Sequence, residues 1–202
     1  MKRLISCFLA TAMLFVANGA VAADAPDALV KSVVDDMLVI IKDAKDPQKL
    51  RTLAEQKVLP HFDFRQMTQM AAGPVWRQAS ESQKQSLENG FRALLVNTYV
   101  AALSHTSSGG KTVDVKPVPA SATQEALVKT IVKEGGKPPV AIDYRMVNEP
   151  GGWKVIDVTI ENISLVTNYR TTFSQEVARS GIDGLIKTLE EKSRSPSRGG
   201  MG

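Results

Sequence analysis

The chain has 202 residues and a formal net charge of +4, with 5% aromatic residues and a single cysteine. That length is enough for one domain with a sizeable core. Acidic and basic residues are interspersed without a basic block, and aromatics are few, which argues against a nucleic-acid surface.

The N-terminus has the three parts of a secretory signal. Lys2 and Arg3 supply the positive start, an apolar run follows from Leu4 to Ala17, and Asn18-Gly19 precedes the A-x-A site Ala20-Val21-Ala22. The run is too short to span a bilayer as an uncleaved anchor. Residues 1–22 are therefore expected to be removed, with a cut after Ala23 as the alternative. Leu4-Ile5-Ser6-Cys7 looks like an acylation site, but its apolar stretch follows the cysteine instead of preceding it. Removal of 22 residues leaves 180, with 23 basic against 21 acidic side chains and no cysteine. Such a fold must stand on its hydrophobic core in an oxidising compartment.

Residues 28–42 have helical spacing, with Leu29, Val33, Met37 and Ile41 on one stripe and Lys31, Asp35 and Lys42 on the wet side. Asp46-Pro47 gives an N-cap and a proline at the first helical position. This second helix runs through Leu50, Leu53 and Ala54 to about Leu59-Pro60. Asp63 caps a short helix carrying Phe64, Met67 and Met70, which Gly73-Pro74 ends. Ser80 and Gln83 form a capping box. It opens the longest helix, 81–104, with Leu87, Phe91, Leu94, Leu95, Tyr99 and Leu103 at helical spacing.

After the turn at Ser107-Ser108-Gly109-Gly110 the period becomes two. Thr112 to Val118 reads as an edge strand because of Pro117 and Pro119. Glu125 to Lys133 alternates, with Val128, Thr130 and Val132 on one face. Gly135-Gly136-Lys137-Pro138 turns the chain into a strand whose Val140, Ile142, Tyr144 and Met146 share a face opposite Asp143 and Arg145. Pro150-Gly151-Gly152 leads to a last strand from Trp153 to Leu165, with Ile156, Val158 and Ile160 on one side. Helical spacing returns with Val166, Tyr169, Phe173 and Val177. Gly181 closes that helix, Asp183 caps a final one to about Lys192, and residues 193–202 read as a disordered tail.

Helices, a four-strand meander and then helices imply a single α+β domain over 23–192, with the helices on one face of an antiparallel sheet. No catalytic constellation accompanies it. His61 and His105 have no metal-ligand partners at suitable spacing, and no nucleophile elbow, P-loop or dinucleotide glycine pattern is present. Asp143 and Asp157 fall on neighbouring strands, where paired carboxylates can do acid–base work. Their alternation with core residues favours solvated or salt-bridged positions. Met67, Met70, Phe64 and Trp76 read either as ordinary core or as a soft lining for a flexible apolar ligand.

Six segments in order carry a resemblance to a known family: Leu50-Arg51, Leu59-Pro60, Lys137-Pro138-Pro139-Val140, Gly152-Trp153, Asp157 with Glu161 and Ile163-Ser164, and Gly181-Ile182-Asp183-Gly184-Leu185. With these the chain resembles the MlaC, or toluene-tolerance, family of periplasmic phospholipid carriers over almost all of its mature length. Val75-Trp76 departs from it, standing where some relatives carry two tyrosines, and the basic tail after Lys192 has no match.

The resemblance implies an NTF2-like fold, with four antiparallel strands and helices on one face enclosing an apolar pocket. It implies a diacyl phospholipid with weak headgroup selectivity, and no cofactor, metal or nucleic acid. The implied partners are an outer-membrane lipoprotein–porin complex and an inner-membrane ABC transporter with an MCE-domain component. Leaving a bilayer costs about 0.8 kcal/mol per CH₂, so two tails cost on the order of 20 kcal/mol. A carrier cavity must recover nearly all of that, and it should be dry and apolar. The expected walls are Val140, Ile142, Tyr144 and Met146 from one strand and Val158, Ile160 and Ile163 from the next. The helices add Met67, Met70, Val75, Leu95, Tyr99, Val166, Tyr169 and Phe173. An NTF2-like hydrolase or isomerase using Asp143, Asp157 or a histidine is the alternative, and a ligand-free adaptor or chaperone is a third.

Overall fold

Short polar side chains start the helices where the sequence places them. In the computed structural model, which describes residues 25–43, 46–104, 110–119 and 121–194, the Asp46 carboxylate accepts from the Gln48 amide at 3.2 Å. That cap opens α2 (Pro47–Lys57), which follows α1 (Pro26–Asp43). Asp63 accepts from the Gln66 amide at 2.8 Å and opens α3 (Phe64–Ala72). The capping box is reciprocal: the Gln83 amide donates to Ser80 Oγ at 3.2 Å, and the Ser80 amide donates to Gln83 Oε1 at 3.0 Å. It starts α5 (Glu81–Ser104). The N-terminal signal, Cys7, His105 and the tail beyond Arg194 lie outside the described residues.

Five antiparallel strands follow in the order β1 (Lys111–Val115), β2 (Glu125–Glu134), β3 (Val140–Glu149), β4 (Gly152–Ile160) and β5 (Ile163–Ser164). The α+β architecture is the expected one, but the count is five strands instead of four. Glu161 and Asn162 both adopt positive φ, at 49° and 67°, and form a two-residue hairpin turn inside what reads as one long strand. The Ala141 amide donates to Glu161 Oε1 at 2.6 Å and holds the unusual glutamate in place.

Three further boundaries differ from the sequence reading. Pro74 at a first helical position starts α4 (Pro74–Gln78), a five-residue helix that the Gly73-Pro74 break conceals. A register shift between Arg145 and Met146 sets Met146 opposite Val155, so Val155 and not Ile156 joins the face of Val158 and Ile160. The last helical segment, α6 (Leu165–Arg194), breaks at Gly181 (φ 71°) where the sequence reading ends one helix, but it keeps Ser193 and Arg194 helical where a tail is expected. Its last turn carries Lys192 and Arg194, which suits the negative end of the helix dipole. Asp183, the expected cap of the piece after Gly181, accepts from Gln83 Nε2 at 2.7 Å and ties α6 to the start of α5.

The apolar residues divide into two main clusters. One joins α3, α4, α5 and α6, with Phe91 packed edge-on against Tyr169 and Phe173 at 5.1 and 5.2 Å. The other joins one sheet face (Val128, Met146, Val155, Val158) to Val30 of α1. Phe62 packs against both, and the Asp63 amide donates to the Val155 carbonyl at 3.0 Å, so this short connector pins the helical layer to β4.

Candidate functional site

The fifteen expected wall residues fall into sets that follow this division. Met67, Leu95, Val166 and Phe173 are buried in the helical cluster, with Met70, Tyr99 and Tyr169 packed against it. Met146 and Val158 are buried in the sheet cluster, with Ile142, Tyr144 and Ile160 at its margin. Val140 and Ile163 stand apart at 37% and 50% exposure, and half-buried Val75 belongs to neither cluster.

Three phenols are embedded in these otherwise apolar sets. Burial pushes the Tyr144 and Tyr99 hydroxyls up to about 12, the latter with help from Tyr169, and burial also raises Tyr169. They remain neutral under physiological conditions. No buried side-chain nitrogen or oxygen among the described residues lacks a hydrogen-bond partner. The expected wall residues are thus apolar or neutral, as a surface for hydrocarbon must be.

Two cavities border the helical layer. A cavity of about 340 Å³ lies among charged and polar groups, including Glu55, Asp63, Arg65, Glu88, Arg92, Glu149 and Lys154. A smaller one, of about 180 Å³, lies between Met70, Val166, Thr167 and Arg170 on the helices and Arg145 and Asp157 on the sheet. Neither is the dry apolar slot expected from the resemblance. Of the candidate acyl walls, Met67, Leu95, Val166 and Phe173 are packed core of the helical cluster, and Met146 and Val158 are packed core of the sheet cluster.

The residues proposed for catalysis have other occupations. Asp157 accepts from Ser164 Oγ at 2.6 Å and from the Val166 amide at 3.2 Å, so it caps the start of α6 from the neighbouring strand. It is half-buried under that helix and is not the solvated strand residue that alternation suggests. Asp143 pairs across the sheet with Thr159, while Asp157 pairs with Arg145, so the carboxylates are not direct partners. His61 sits in a 3₁₀ turn, Leu59–His61, where burial and then Lys154 lower its proton affinity. Among the described residues there is no group of three or more potential metal ligands, and no helix is long and apolar enough to cross a membrane.

Comparison with known proteins decides the family. The family model described as "MlaC protein" matches residues 31–191. The chain belongs to the MlaC family. MlaC of Haemophilus influenzae, described as an intermembrane phospholipid transport system binding protein, is 23% identical over 95% of this chain and 92% of its own. The toluene tolerance protein ttg2D of Pseudomonas putida is 30% identical, over 56% of this chain and 52% of its own. The phospholipid-binding protein of Ralstonia solanacearum, solved in complex with a phospholipid at 1.53 Å, superposes with a TM-score of 0.78 at 35% identity. That match covers 86% of this chain and 99% of the solved one.

Against this MlaC fold, two groups escape the sequence reading. Phe62 joins the clusters but sits outside any periodic run, so spacing cannot place it. Arg145 reads as a residue of the face opposite the apolar one, no pattern singles out Arg170, and only the tertiary fold brings the two to one cavity.

Proposed function

We propose that this MlaC-family protein is a periplasmic phospholipid carrier, moving lipid between outer-membrane and inner-membrane complexes and so maintaining outer-membrane lipid asymmetry. The observation that carries this reading is the superposition, over nearly the whole mature chain, on a protein solved with phospholipid bound. The N-terminal export signal supports a periplasmic location. The acyl chains of a diacyl lipid lie between the helical and sheet clusters, which meet at Phe62. The fifteen apolar and phenolic residues above then become the acyl walls, with Val140 and Ile163 at the solvent margin. Partner docking follows the family pattern: an outer-membrane lipoprotein–porin complex on one side and an ABC transporter with an MCE-domain component on the other. The protein works without catalysis, consistent with the capping duty of Asp157.

The test is transfer between vesicles. Delipidated protein should move fluorescent phospholipid from donor to acceptor vesicles at a rate proportional to protein concentration. Transfer no faster than the spontaneous rate would refute the carrier reading.

A further inference from the structure

The smaller cavity has a charge pattern that the acyl walls lack. Its floor is Met70 and Val166, both part of the helical cluster, and its rim is Arg145, Arg170 and Thr167. Gly73 makes room for one rim residue: a Cβ there would lie 3.2 Å from Arg170 Nε, so any side chain would crowd the guanidinium. No ion pair involving Arg170 occurs among the described residues, although carboxylates and cations are matched over much of the surface. Arg145 reaches Glu125 at 3.4 Å, but both side chains are more than half exposed, and such a pair exchanges readily for a better anion. The one acidic group at the cavity is Asp157, whose carboxylate oxygens accept from Ser164 and the Val166 amide. Two guanidiniums therefore face one engaged carboxylate above an apolar floor.

We propose that this cavity is a phosphate-reading mouth: Arg145 and Arg170 hold the phosphodiester common to glycerophospholipids while the acyl chains run past Met70 and Val166 to lie between the helical and sheet clusters. Guanidinium donors match phosphate oxygens in planar, charge-assisted pairs. Reading the phosphate leaves the rest of the headgroup unread, so the protein accepts different phospholipids yet rejects neutral lipids of the same tails. The proposal rests on the carrier reading and adds a class filter to it.

The test compares the delipidated mature chain with its Arg145→Gln/Arg170→Gln variant, using vesicles that contain both phosphatidylglycerol and diacylglycerol. Both arginines are exposed, so the variant should melt with the wild type. Wild type should extract phospholipid in preference to diacylglycerol by at least about tenfold, as expected for hydrogen bonds to a charged group, and the variant's preference should fall to within about twofold. A wild type without preference, or a variant that keeps it, overturns the mouth and leaves the carrier standing. A wild type that extracts neither lipid overturns the carrier reading itself. Titration with inorganic phosphate separates a lipid site from a soluble-anion site: the wild type should bind it only weakly, and tight binding of free phosphate would overturn the lipid assignment.

Discussion

Asp157 commits both carboxylate oxygens to the start of α6, one to Ser164 Oγ and one to the Val166 amide. Ser164 Oγ in turn accepts from the Thr167 amide at 3.0 Å, so the strand and its hairpin cap the helix together. Asp157→Ala should cost about 1–2 kcal/mol, the usual range for a lost N-cap, and Asp157→Asn should cost less. Urea unfolding of delipidated protein measures both; a neutral Asp157→Ala would release the carboxylate for another role. Glu149 behaves differently. Burial and then the neighbouring Asp63 carboxylate raise its proton affinity above the ordinary 4.5. A raised carboxyl favours the fold at low pH and loses that contribution as pH rises through its folded value. Glu149→Gln should therefore raise the melting temperature by about 1 °C at neutral pH and leave it unchanged below pH 4.5. Thermal melts at pH 4 and 7.5 check this, and a gain confined to the acid side would reverse the sign.

At the scale of elements, the α5–α6 contact depends on a missing side chain. A Cβ at Gly90 would lie 2.9 Å from Leu189 Cβ, so the two backbones are as close as glycine allows. Alanine is favoured over glycine within a helix by about 1 kcal/mol, but overpacking a tight interface costs about 1–3 kcal/mol. Gly90→Ala should be net destabilising, and a more stable variant would show that the helices separate at no cost. Helix starts were legible in the sequence because their causes are local: Asp46, Asp63 and the Ser80–Gln83 box each act within three residues. Strand alternation was legible too, up to the shift that seats Val155 in place of Ile156. That bulge, the Glu161–Asn162 turn and the Asp183–Gln83 bond depend on contacts between distant segments, which periodicity does not encode, whereas the break at Gly181 was legible from the glycine itself. The same limit hid Phe62 and the Arg145–Arg170 pairing. Spacing and the family resemblance supplied the apolar wall candidates, but neither revealed that they form two clusters.

For the whole molecule, the account requires one packing to serve two purposes. The helical and sheet clusters each bury their own apolar residues as any core does, and they share Phe62. With lipid bound, the residues facing the space between the clusters cover acyl chains whose exposure to water costs on the order of 20 kcal/mol. Lipid that binds only the folded state stabilises it, so delipidation should lower the melting temperature and added phospholipid should restore it. The most direct measurement of the central claim is organic extraction and mass spectrometry of protein purified from its native host without detergent. The account predicts glycerophospholipids in near-equimolar amount, with headgroups in proportion to the host membrane and little diacylglycerol. Protein that emerges free of lipid and takes none from vesicles would contradict it.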